Sequence, residues 1–313
     1  MRNVRLDEAM SARAALVISA FRADEAIIRL LEAAHAVVDP PWSGICVVDS
    51  LGSGHIARHV KARGWTDVVY RTHAVNLGSA GNLAERLRWA ASEGFDYAYA
   101  INHDGDVVSD VVRGLVAEAE RRRSAGGRVG AIYPLRRYVG RGSQYDLTGK
   151  TRLPVPFIGT ASRPAHSFRV FWASSNGALY SLGPVRAGLL PWADFWMGWE
   201  DLAYGWLLDD HGYEQWVDAK VVIDDDYETR AVTQRLVVTE KPVWYAYYQT
   251  RNLLLASRRT KQSTVARALL LARFAMECGL TLAVRKDKTR RLQLLSQGVR
   301  DGLLDVSGKG PVP

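Results

Sequence analysis

Short apolar runs alternate with segments of helical periodicity over the first hundred residues. Four runs are apolar enough to form buried strands, at residues 15–19, 45–49, 67–70 and 97–102. Three segments between them carry apolar side chains at helical spacing, at residues 24–37, 55–63 and 80–92. Strands that alternate with helices in this way predict a mostly parallel sheet with helices on both faces. The predicted fold class is therefore α/β.

The rest of the chain is less regular. Helices are predicted at residues 110–123 and 200–210, and strands at residues 129–133, 168–173, 178–181 and 215–223. Residues 140–166 are rich in Gly, Pro, Ser and Thr, which predicts a long loop with a functional role. From residue 243 onward the pattern is helical.

Acidic residues follow the fourth predicted strand, in the sequence Asp104-Gly105-Asp106. In open sheets of this class ligands bind beyond the carboxyl ends of the strands, so this segment is a first candidate for a site. Two carboxylates one residue apart can share a hard divalent cation, and that cation would neutralise a diphosphate. The simpler interpretation is an Asp-Gly turn whose acids are solvated.

A second acidic pair, Glu200-Asp201, begins a predicted helix directly after an aromatic stretch that ends in Trp199. An acid beside an apolar wall can act as a general base with a raised pKa. Acids in the first turn of a helix are also favoured by the helix dipole alone, which is the simpler interpretation.

Two later segments carry charge that a phosphate or a metal ion could use. The triplet at residues 224–226 consists of three aspartates at the end of a predicted strand, and the alternative to a metal ligand is a charged loop. Arg251, followed by Asn252, could present a cation to a phosphate, whereas an arginine on a helix surface is the more common outcome.

The segment from Gly52 to Ala57 has the G-x-G-x-x-A spacing of a dinucleotide-binding turn and lies between a predicted strand and a predicted helix. An NAD(P)-dependent reductase is therefore the alternative enzyme class. Against it, a complete strand–helix unit precedes this one, and Asp49 and Ser50 separate the strand from the first glycine.

Composition limits the remaining classes. The 313 residues are 48% hydrophobic and 24% charged, which excludes a disordered or collagen-like chain. The two cysteines provide no disulfide framework, and there is no signal peptide or apolar run long enough to span a membrane, so a cytoplasmic location is expected. The formal net charge of +8 favours anionic ligands but does not choose among them.

An ordered set of short motifs resembles the family 2 glycosyltransferases over about residues 15 to 255, with bacterial transferases of cell-surface polysaccharides, of the rhamnosyl or galactosyl type, the most similar. The segments that carry the resemblance are residues 15–21, 47–50, 76–82, 104–106, 200–201 and 248–252. The resemblance implies a GT-A fold with a Rossmann-like central sheet, a nucleotide-sugar donor such as a UDP- or dTDP-sugar, and Mn²⁺ or Mg²⁺. It also implies an inverting transfer to a hydroxyl of a glycan or a lipid-linked acceptor.

Carried over to this sequence, the resemblance assigns a role to individual residues. Asp49 would accept a hydrogen bond from the base of the nucleotide. The other donor-binding residues would be Ser19, Phe21, Arg71, Asn76, Gly78, Asn82 and Asp104.

The same resemblance assigns the chemistry. Asp104 and Asp106 occupy the metal-binding DxD positions, and Asp201 would be the general base. The acceptor would be bound by Trp199, Glu200 and Arg251. A third metal ligand is expected among the aspartates at residues 224–226, most simply Asp225, where relatives often have a histidine.

The resemblance also divides the chain. A catalytic domain is expected at residues 1–245, with a donor half at about 1–135 and an acceptor half at about 136–245, followed by a helical extension at 246–313. The extension carries apolar residues among arginines, which favours packing on the catalytic domain or a homodimer, with docking on anionic lipid at the inner face of the membrane as the alternative. No nucleic-acid partner is expected. A non-catalytic sugar- or nucleotide-binding module remains the non-enzymatic alternative.

Overall fold

The computed structural model describes residues 12–139, 144–154, 159–225, 230–231, 237–238 and 241–310. Its strands are β1 (Ala14–Ala20), β2 (Ile45–Ser50), β3 (Val68–His73), β4 (Tyr97–Asn102), β5 (Val129–Tyr138), β6 (Gln144–Asp146), β7 (Gly159–Thr160), β8 (Phe168–Val170), β9 (Ala178–Ser181), β10 (Glu214–Asp225), β11 (Arg230–Ala231) and β12 (Val237–Val238). Its helices are α1 (Asp24–His35), α2 (His55–Arg63), α3 (Gly78–Ser92), α4 (Ser109–Ser124), α5 (Leu182–Arg186), α6 (Glu200–Asp210), α7 (Tyr245–Arg259), α8 (Thr264–Val284) and α9 (Lys288–Leu303).

The main sheet has the strand order β3-β2-β1-β4-β9-β5-β10-β8. The pairs β3–β2, β2–β1, β1–β4 and β5–β10 are parallel. Strand β9 is antiparallel to both of its neighbours, β4 and β5. Strands β1, β2, β4, β5 and β10 therefore end at one edge of the sheet, and β9 begins there.

Alternating side chains of the central strands enter two different hydrophobic clusters. On β1, Leu16 and Ile18 pack on the face covered by α1, α2 and α4. Ala15 and Val17 pack on the opposite face, with Leu83 and Leu87 of α3. Because both faces of the sheet are covered, the apolar side chains of β1 that alternate between them are buried on either face. This is the reason why β1 reads as a continuous apolar run.

Strand β5 continues to Tyr138, beyond the predicted end at residue 133. The ladder with β10 maintains the extended conformation through its charged end, where Arg136 pairs with Ile223 and Tyr138 with Asp225. The predicted loop at 140–166 contains β6, which pairs antiparallel with the end of β5, and β7, which pairs antiparallel with β6. Within that range, residues 140–143 and 155–158 lie outside the described residues.

Helix α7 begins at the expected start of the C-terminal extension. Its Leu253 and Leu255 share a hydrophobic cluster with Phe195 and Trp206, and α9 packs along α7. In this structure, α7 is part of the core beneath the loop at residues 193–199.

Gly78, at the start of α3, has a left-handed φ of 68°. A Cβ atom at this position would lie 2.0 Å from the carbonyl oxygen of Trp196. The same carbonyl accepts a hydrogen bond of 3.2 Å from the backbone N–H of Ala80, so the loop at 193–199 caps the first turn of α3. Only glycine allows this close approach.

We predict that Gly78→Ala lowers the free energy of unfolding by about 3 kcal/mol, because it combines a left-handed alanine with a backbone clash. The matched control is Gly64→Ala, which has a similar φ of 67° but no atom within 4 Å of the added Cβ. The control should lose only about 1 kcal/mol. Urea unfolding of both variants tests this prediction, and equal losses would contradict the close contact.

Candidate active site

The carboxyl edge of the sheet brings together most of the residues that the sequence singled out. Asp49 lies at the end of β2, Asp104 and Asp106 follow β4, and Asp225 ends β10. Asp201 lies in the first turn of α6. Each was predicted at a strand end or a helix start, and the topology places the strand ends side by side.

Asp49 is a buried carboxylate that is satisfied on one side only. Its Oδ2 accepts a 2.8 Å hydrogen bond from the Tyr70 hydroxyl, while its Oδ1 is buried with no hydrogen-bond partner among the described residues. Burial raises the pKa of Asp49 above its ordinary value, partly opposed by the bond from Tyr70. This oxygen is therefore able to accept a hydrogen bond from a bound group.

Arg71 does not lie beside Asp49. Along β3, Tyr70 and Thr72 point to the face of Asp49, so Arg71 points to the face covered by α3. There it forms a 3.1 Å ion pair with Glu85. The expectation that Arg71 lines the nucleoside pocket finds no support in this arrangement, because the alternation of the strand turns the side chain away.

The other residues expected around the donor are divided between the edge and the core. Ser19 is partly buried near the end of β1. Phe21 is the first residue after β1 and is exposed at the same edge. Asn76 bonds to the start of α3, since its Oδ1 accepts from the backbone N–H of Gly78 at 2.9 Å. Asn82 is buried and donates to the Val48 carbonyl at 2.8 Å, which ties α3 to β2.

Asp104 and Asp106 are both exposed and flank a tight turn. The backbone N–H of Gly105 donates to the carbonyl of Asn102 at 3.0 Å. The Asn176 side-chain oxygen accepts a 3.0 Å bond from the backbone N–H of Asn102, and a Cβ on Gly105 would lie 3.0 Å from that oxygen. The glycine between the two acids therefore lets the loop before β9 support the turn.

Arg136, at the end of β5, connects this turn to the end of β10. It forms an ion pair with Asp225 and donates to the backbone carbonyl of Asn176. Asp224 instead forms a two-bond pair with Arg137, at 2.7 Å for each bond, which lowers the pKa of Asp224. Asp226 lies outside the described residues.

The two acids at 104 and 106 have the donor chemistry of a divalent metal site, since Mg²⁺ and Mn²⁺ prefer carboxylate oxygens. Both side chains are exposed at the sheet edge and free to turn toward a ligand. Within the part of the chain that the structure describes, no three acidic, histidine or cysteine side chains are grouped closely enough to enclose an ion. Asp225 already forms an ion pair with Arg136. To act as a metal ligand, as expected, its carboxylate would have to contact both Arg136 and the ion.

Asp201 has a different environment from Asp104 and Asp106. It is partly buried, and its Oδ1 accepts a 2.7 Å bond from the backbone N–H of Leu202. Desolvation, assisted by the charge of neighbouring Glu200, raises the pKa of Asp201 to about 7, while Arg136 acts in the opposite direction. Glu200 itself has a buried Oε2 with no hydrogen-bond partner among the described residues.

Trp199 lies one residue before this acidic pair in a left-handed conformation, with a φ of 62°. Its indole N–H donates to the Gln249 carbonyl at 2.9 Å, and its ring packs edge-on against Trp172. Trp199 thus belongs to the core beneath the acids and keeps partial exposure toward the expected acceptor side.

Arg251 corrects the sequence interpretation. It was expected to face an acceptor, but it is fully buried and donates to the backbone carbonyls of Phe195 and Gly308, at 3.0 and 2.6 Å. Its neighbour Asn252 donates to the carbonyls of Phe195, Met197 and Gly198. The pair holds the loop that precedes Glu200 and leaves Arg251 no route to an acceptor.

Three residues of the site were not singled out from the sequence, namely Tyr70, Arg136 and Asn176. Arg136 was missed because the apolar run of β5 ends before the strand does. Tyr70 could have been found from the period of two in β3, which places it on the face of Asp49. Asn176 lies between the strands predicted at residues 168–173 and 178–181, and nothing in the sequence indicates which strand end this connection supports.

No protein-family model matches the sequence, and no curated protein matches it. Solved structures match over most of the chain. Residues 1–349 of S. aureus TarS align with a TM-score of 0.59 and 11% identity over 93% of this chain and 80% of that chain. The Pyrobaculum calidifontis mannosyltransferase PcManGT, in complex with GDP-Man and Mn²⁺, aligns with a TM-score of 0.54 and 15% identity over 95% of this chain and 88% of that chain. GalNAc-T7, with UDP, GalNAc and Mn²⁺, aligns with a TM-score of 0.61 and 9% identity over 96% of this chain and 57% of that chain.

At these identities the likeness shows the fold. The chain has the GT-A fold of the glycosyltransferases, with a mixed central sheet flanked by helices, and the predicted fold class is confirmed.

The raised pKa of Asp201 predicts a pH-dependent stability. Between its ordinary pKa of 3.8 and about 7, the unfolded carboxyl is ionised while the folded one stays protonated, so stability falls as pH rises through this window. Asp201→Asn removes this titration. The free energy of unfolding of Asp201→Asn minus that of the wild type should therefore increase from about pH 4 to about pH 7 and then level off.

Urea unfolding over a series of pH values measures this difference. Asp224→Asn is the matched control with the opposite sign, because Arg137 lowers the pKa of Asp224, and the exposed pair should contribute less than about 1 kcal/mol near neutral pH. A gain for Asp201→Asn that does not vary with pH would show that Asp201 is not desolvated.

Proposed function

We propose that this chain is a metal-dependent, inverting glycosyltransferase that uses a nucleotide-diphosphate sugar, with Asp201 as the general base. The observation that carries the proposal is the contrast between two acid clusters in one GT-A fold. Asp104 and Asp106 are exposed on a turn at the sheet edge, whereas Asp201 is desolvated and has a raised pKa. Exposed carboxylates are suited to binding a metal ion, whereas a desolvated carboxylate with a raised pKa is suited to accepting a proton.

The donor nucleotide would bind with its base against Asp49. The unpartnered Oδ1 of this residue can accept a hydrogen bond from a pyrimidine N–H, while Tyr70 holds the other oxygen. This preference favours UDP- or dTDP-sugars, and we take UDP as the first choice. Among the structural neighbours, TarS has been solved with UDP-GlcNAc and PcManGT with GDP-Man, which supports a nucleotide-sugar donor without choosing the base.

Asp104 and Asp106 would hold Mn²⁺ or Mg²⁺. The ion supplies positive charge to the diphosphate of the donor. Arg136, which bridges Asp225 and the Asn176 carbonyl beside the Asp104 turn, provides a fixed cation at the same edge. A departing diphosphate gains negative charge in the transition state, so a cation fixed at this edge stabilises it.

Asp201 would remove the proton from the attacking hydroxyl of the acceptor. The oxygen of that hydroxyl bonds to the anomeric carbon as the carbon–oxygen bond to the diphosphate breaks, and the configuration inverts. A base with a pKa near the working pH is suited to this step. Glu200, with its unpartnered Oε2, would orient the acceptor, and Trp199 would offer an aromatic face to its sugar.

The acceptor class follows from the resemblance to transferases of cell-surface polysaccharides. We propose a glycan or a lipid-linked glycan in polysaccharide or cell-wall biosynthesis.

The nicotinamide alternative loses its main support in the structure. Gly52 is explained by packing, because a Cβ there would lie 2.2 Å from the Tyr70 hydroxyl and 2.6 Å from Asp49 Oδ2. The glycine is required to let Tyr70 reach Asp49, which is the proposed base-binding group. A non-catalytic sugar-binding module would not require the raised pKa of Asp201.

Calorimetric titration with UDP, dTDP and GDP, each with and without Mn²⁺, tests the donor site. We expect one pyrimidine diphosphate to bind more tightly with Mn²⁺, and Asp106→Ala to abolish that gain. Asp49→Asn should weaken binding about tenfold or more, since a charged acceptor is lost from a buried hydrogen bond.

The control for the titration is Asp39→Ala. Asp39 is an exposed acid in the link between α1 and β2, remote from the carboxyl edge, and its removal should change no affinity. Binding of NADPH without metal, together with no binding of any diphosphate, would reject the transferase in favour of the reductase.

The pH dependence of transfer tests the base. The assay uses an acceptor that the enzyme glycosylates, or water in a donor-hydrolysis reaction. The value of kcat/KM should rise with pH along a titration curve whose midpoint is about 7, because Asp201 must be ionised to accept the proton. Asp201→Asn should lower the rate by a factor of about 10² to 10⁴ and keep nucleotide affinity. Glu200→Gln should shift the midpoint to lower pH, since the charge of Glu200 raises the pKa of Asp201. Full activity of Asp201→Asn would remove Asp201 from this role.

A further inference from the structure

Helix α8 presents an apolar surface to solvent. Five of its large hydrophobic side chains are exposed: Val265 by 69%, Leu269 by 53%, Leu271 by 46%, Met276 by 46% and Leu282 by 57%. Small exposed residues fill the space between them, at Ala268, Ala272, Ala275, Gly279 and Ala283. We call these ten residues the α8 surface.

The α8 surface is continuous. At helical spacing its members cover one side of the helix, and Arg267, at its border, is the only exposed charged residue within α8. The opposite side already packs on the protein through Leu270, and Arg273 donates to the Pro154 carbonyl at 3.1 Å. Single exposed hydrophobic residues are ordinary, but a continuous apolar side of a helix with 21 residues indicates an interaction surface.

The segment that contains this surface carries a surplus of positive charge. Residues 258–291 contain ten Lys and Arg against two acids, Glu277 and Asp287, a surplus of eight that equals the formal net charge of the whole chain, +8. Glu277 is paired with Arg285. The remainder of the protein is thus neutral overall, and the basic surplus lies in the segment that carries the α8 surface.

We propose that α8 binds an anionic lipid bilayer and lies in its interface, parallel to the membrane plane. An apolar helix face inserts among the acyl chains, and basic residues beside it attract anionic headgroups. No helix among the described residues is long and apolar enough to cross a membrane, so the mode is surface binding. A second copy of the chain fits less well, because pairing two such faces would bring two surpluses of eight positive charges together.

The opposite side of α8, which packs on the protein, lies near the candidate acceptor site. The guanidinium of Arg273 is 5.7 Å from the ring centre of Trp199, and Trp199 directly precedes Glu200. Binding through α8 would bring the start of α6 close to the membrane, where a lipid-linked acceptor would be. This last step depends on the proposed function, whereas the lipid binding itself does not.

Vesicle flotation of the full chain, without donor or acceptor, tests the proposal. The vesicles are phosphatidylcholine alone and phosphatidylcholine with phosphatidylglycerol, each at low and high NaCl. We expect binding to the anionic vesicles only, weakened by salt. Leu269→Glu with Met276→Glu should lower the partition coefficient about tenfold or more. The matched control is Val38→Glu, another exposed apolar position far from α8, which should bind like the wild type.

A second variant keeps the test independent of the folding of α8. Lys286→Glu with Lys288→Glu changes two exposed residues in and after the α8–α9 link and should also weaken binding to anionic vesicles. Absence of wild-type binding, or unchanged binding by both double variants, would overturn the proposal. Sedimentation that shows a dimer lost in Leu269→Glu, without lipid binding, would also overturn it and assign the surface to a second copy. Because no donor is present, none of these outcomes depends on transferase activity.

Discussion

The structure of the site depends on the hydrogen bonds that Arg251 and Asn252 make to the backbone of the loop at 195–198. Arg251 is fully buried between Tyr247 and Tyr248, with its guanidinium 5.1 and 5.0 Å from their ring centres. Asn252 directs one amide nitrogen at three carbonyls of the loop. These bonds satisfy backbone carbonyls at the end of a short turn and in the loop that follows it, and losing them would be costly. The helix that looks like an appendage in the sequence therefore shapes the start of α6.

The same loop is hydrogen-bonded to α3, and α3 is hydrogen-bonded to the sheet. The Trp196 carbonyl caps α3 through Ala80, and the Trp196 indole donates to the carbonyl of Asn76 at 3.1 Å. Helix α3 is in turn joined to the sheet by Arg86, whose guanidinium donates to the carbonyls of Val17 and Ile101 at 3.1 and 2.9 Å. Burial lowers the pKa of Arg86 to about 10, yet it remains charged at neutral pH. Hydrogen bonds thus run from α7 through this loop and α3 to β1 and to β4, the strand that leads into the turn at Asp104.

The sequence was sufficient for features that depend on local pattern, and insufficient for those that depend on which elements meet. The alternation of buried strands and helices predicted the α/β class, and the acids at strand ends were found because parallel strands end at one edge. Arg251 was misjudged because nothing local indicates that a helix surface will be covered by a loop 56 residues earlier in the chain. Arg71 was assigned to the donor site by the resemblance alone, and the predicted strand at residues 67–70 ended before the alternation that turns this side chain toward α3. Tertiary context decides the position of Arg251, whereas strand alternation decides that of Arg71.

The contrast between Asp201 and the pair at 104 and 106 follows from this same tertiary context. Asp104 and Asp106 lie on an exposed turn at the sheet edge. Asp201 is held at the start of α6 by the loop that Asn252 fixes, above a layer containing Tyr133 and Tyr180 that excludes water. Arg136 is close enough to lower the pKa of Asp201, but it also pairs with Asp225, so its charge is shared. Asp201 therefore remains a stronger base than an ordinary aspartate, because desolvation and the charge of Glu200 outweigh the opposing effect of Arg136 on its pKa.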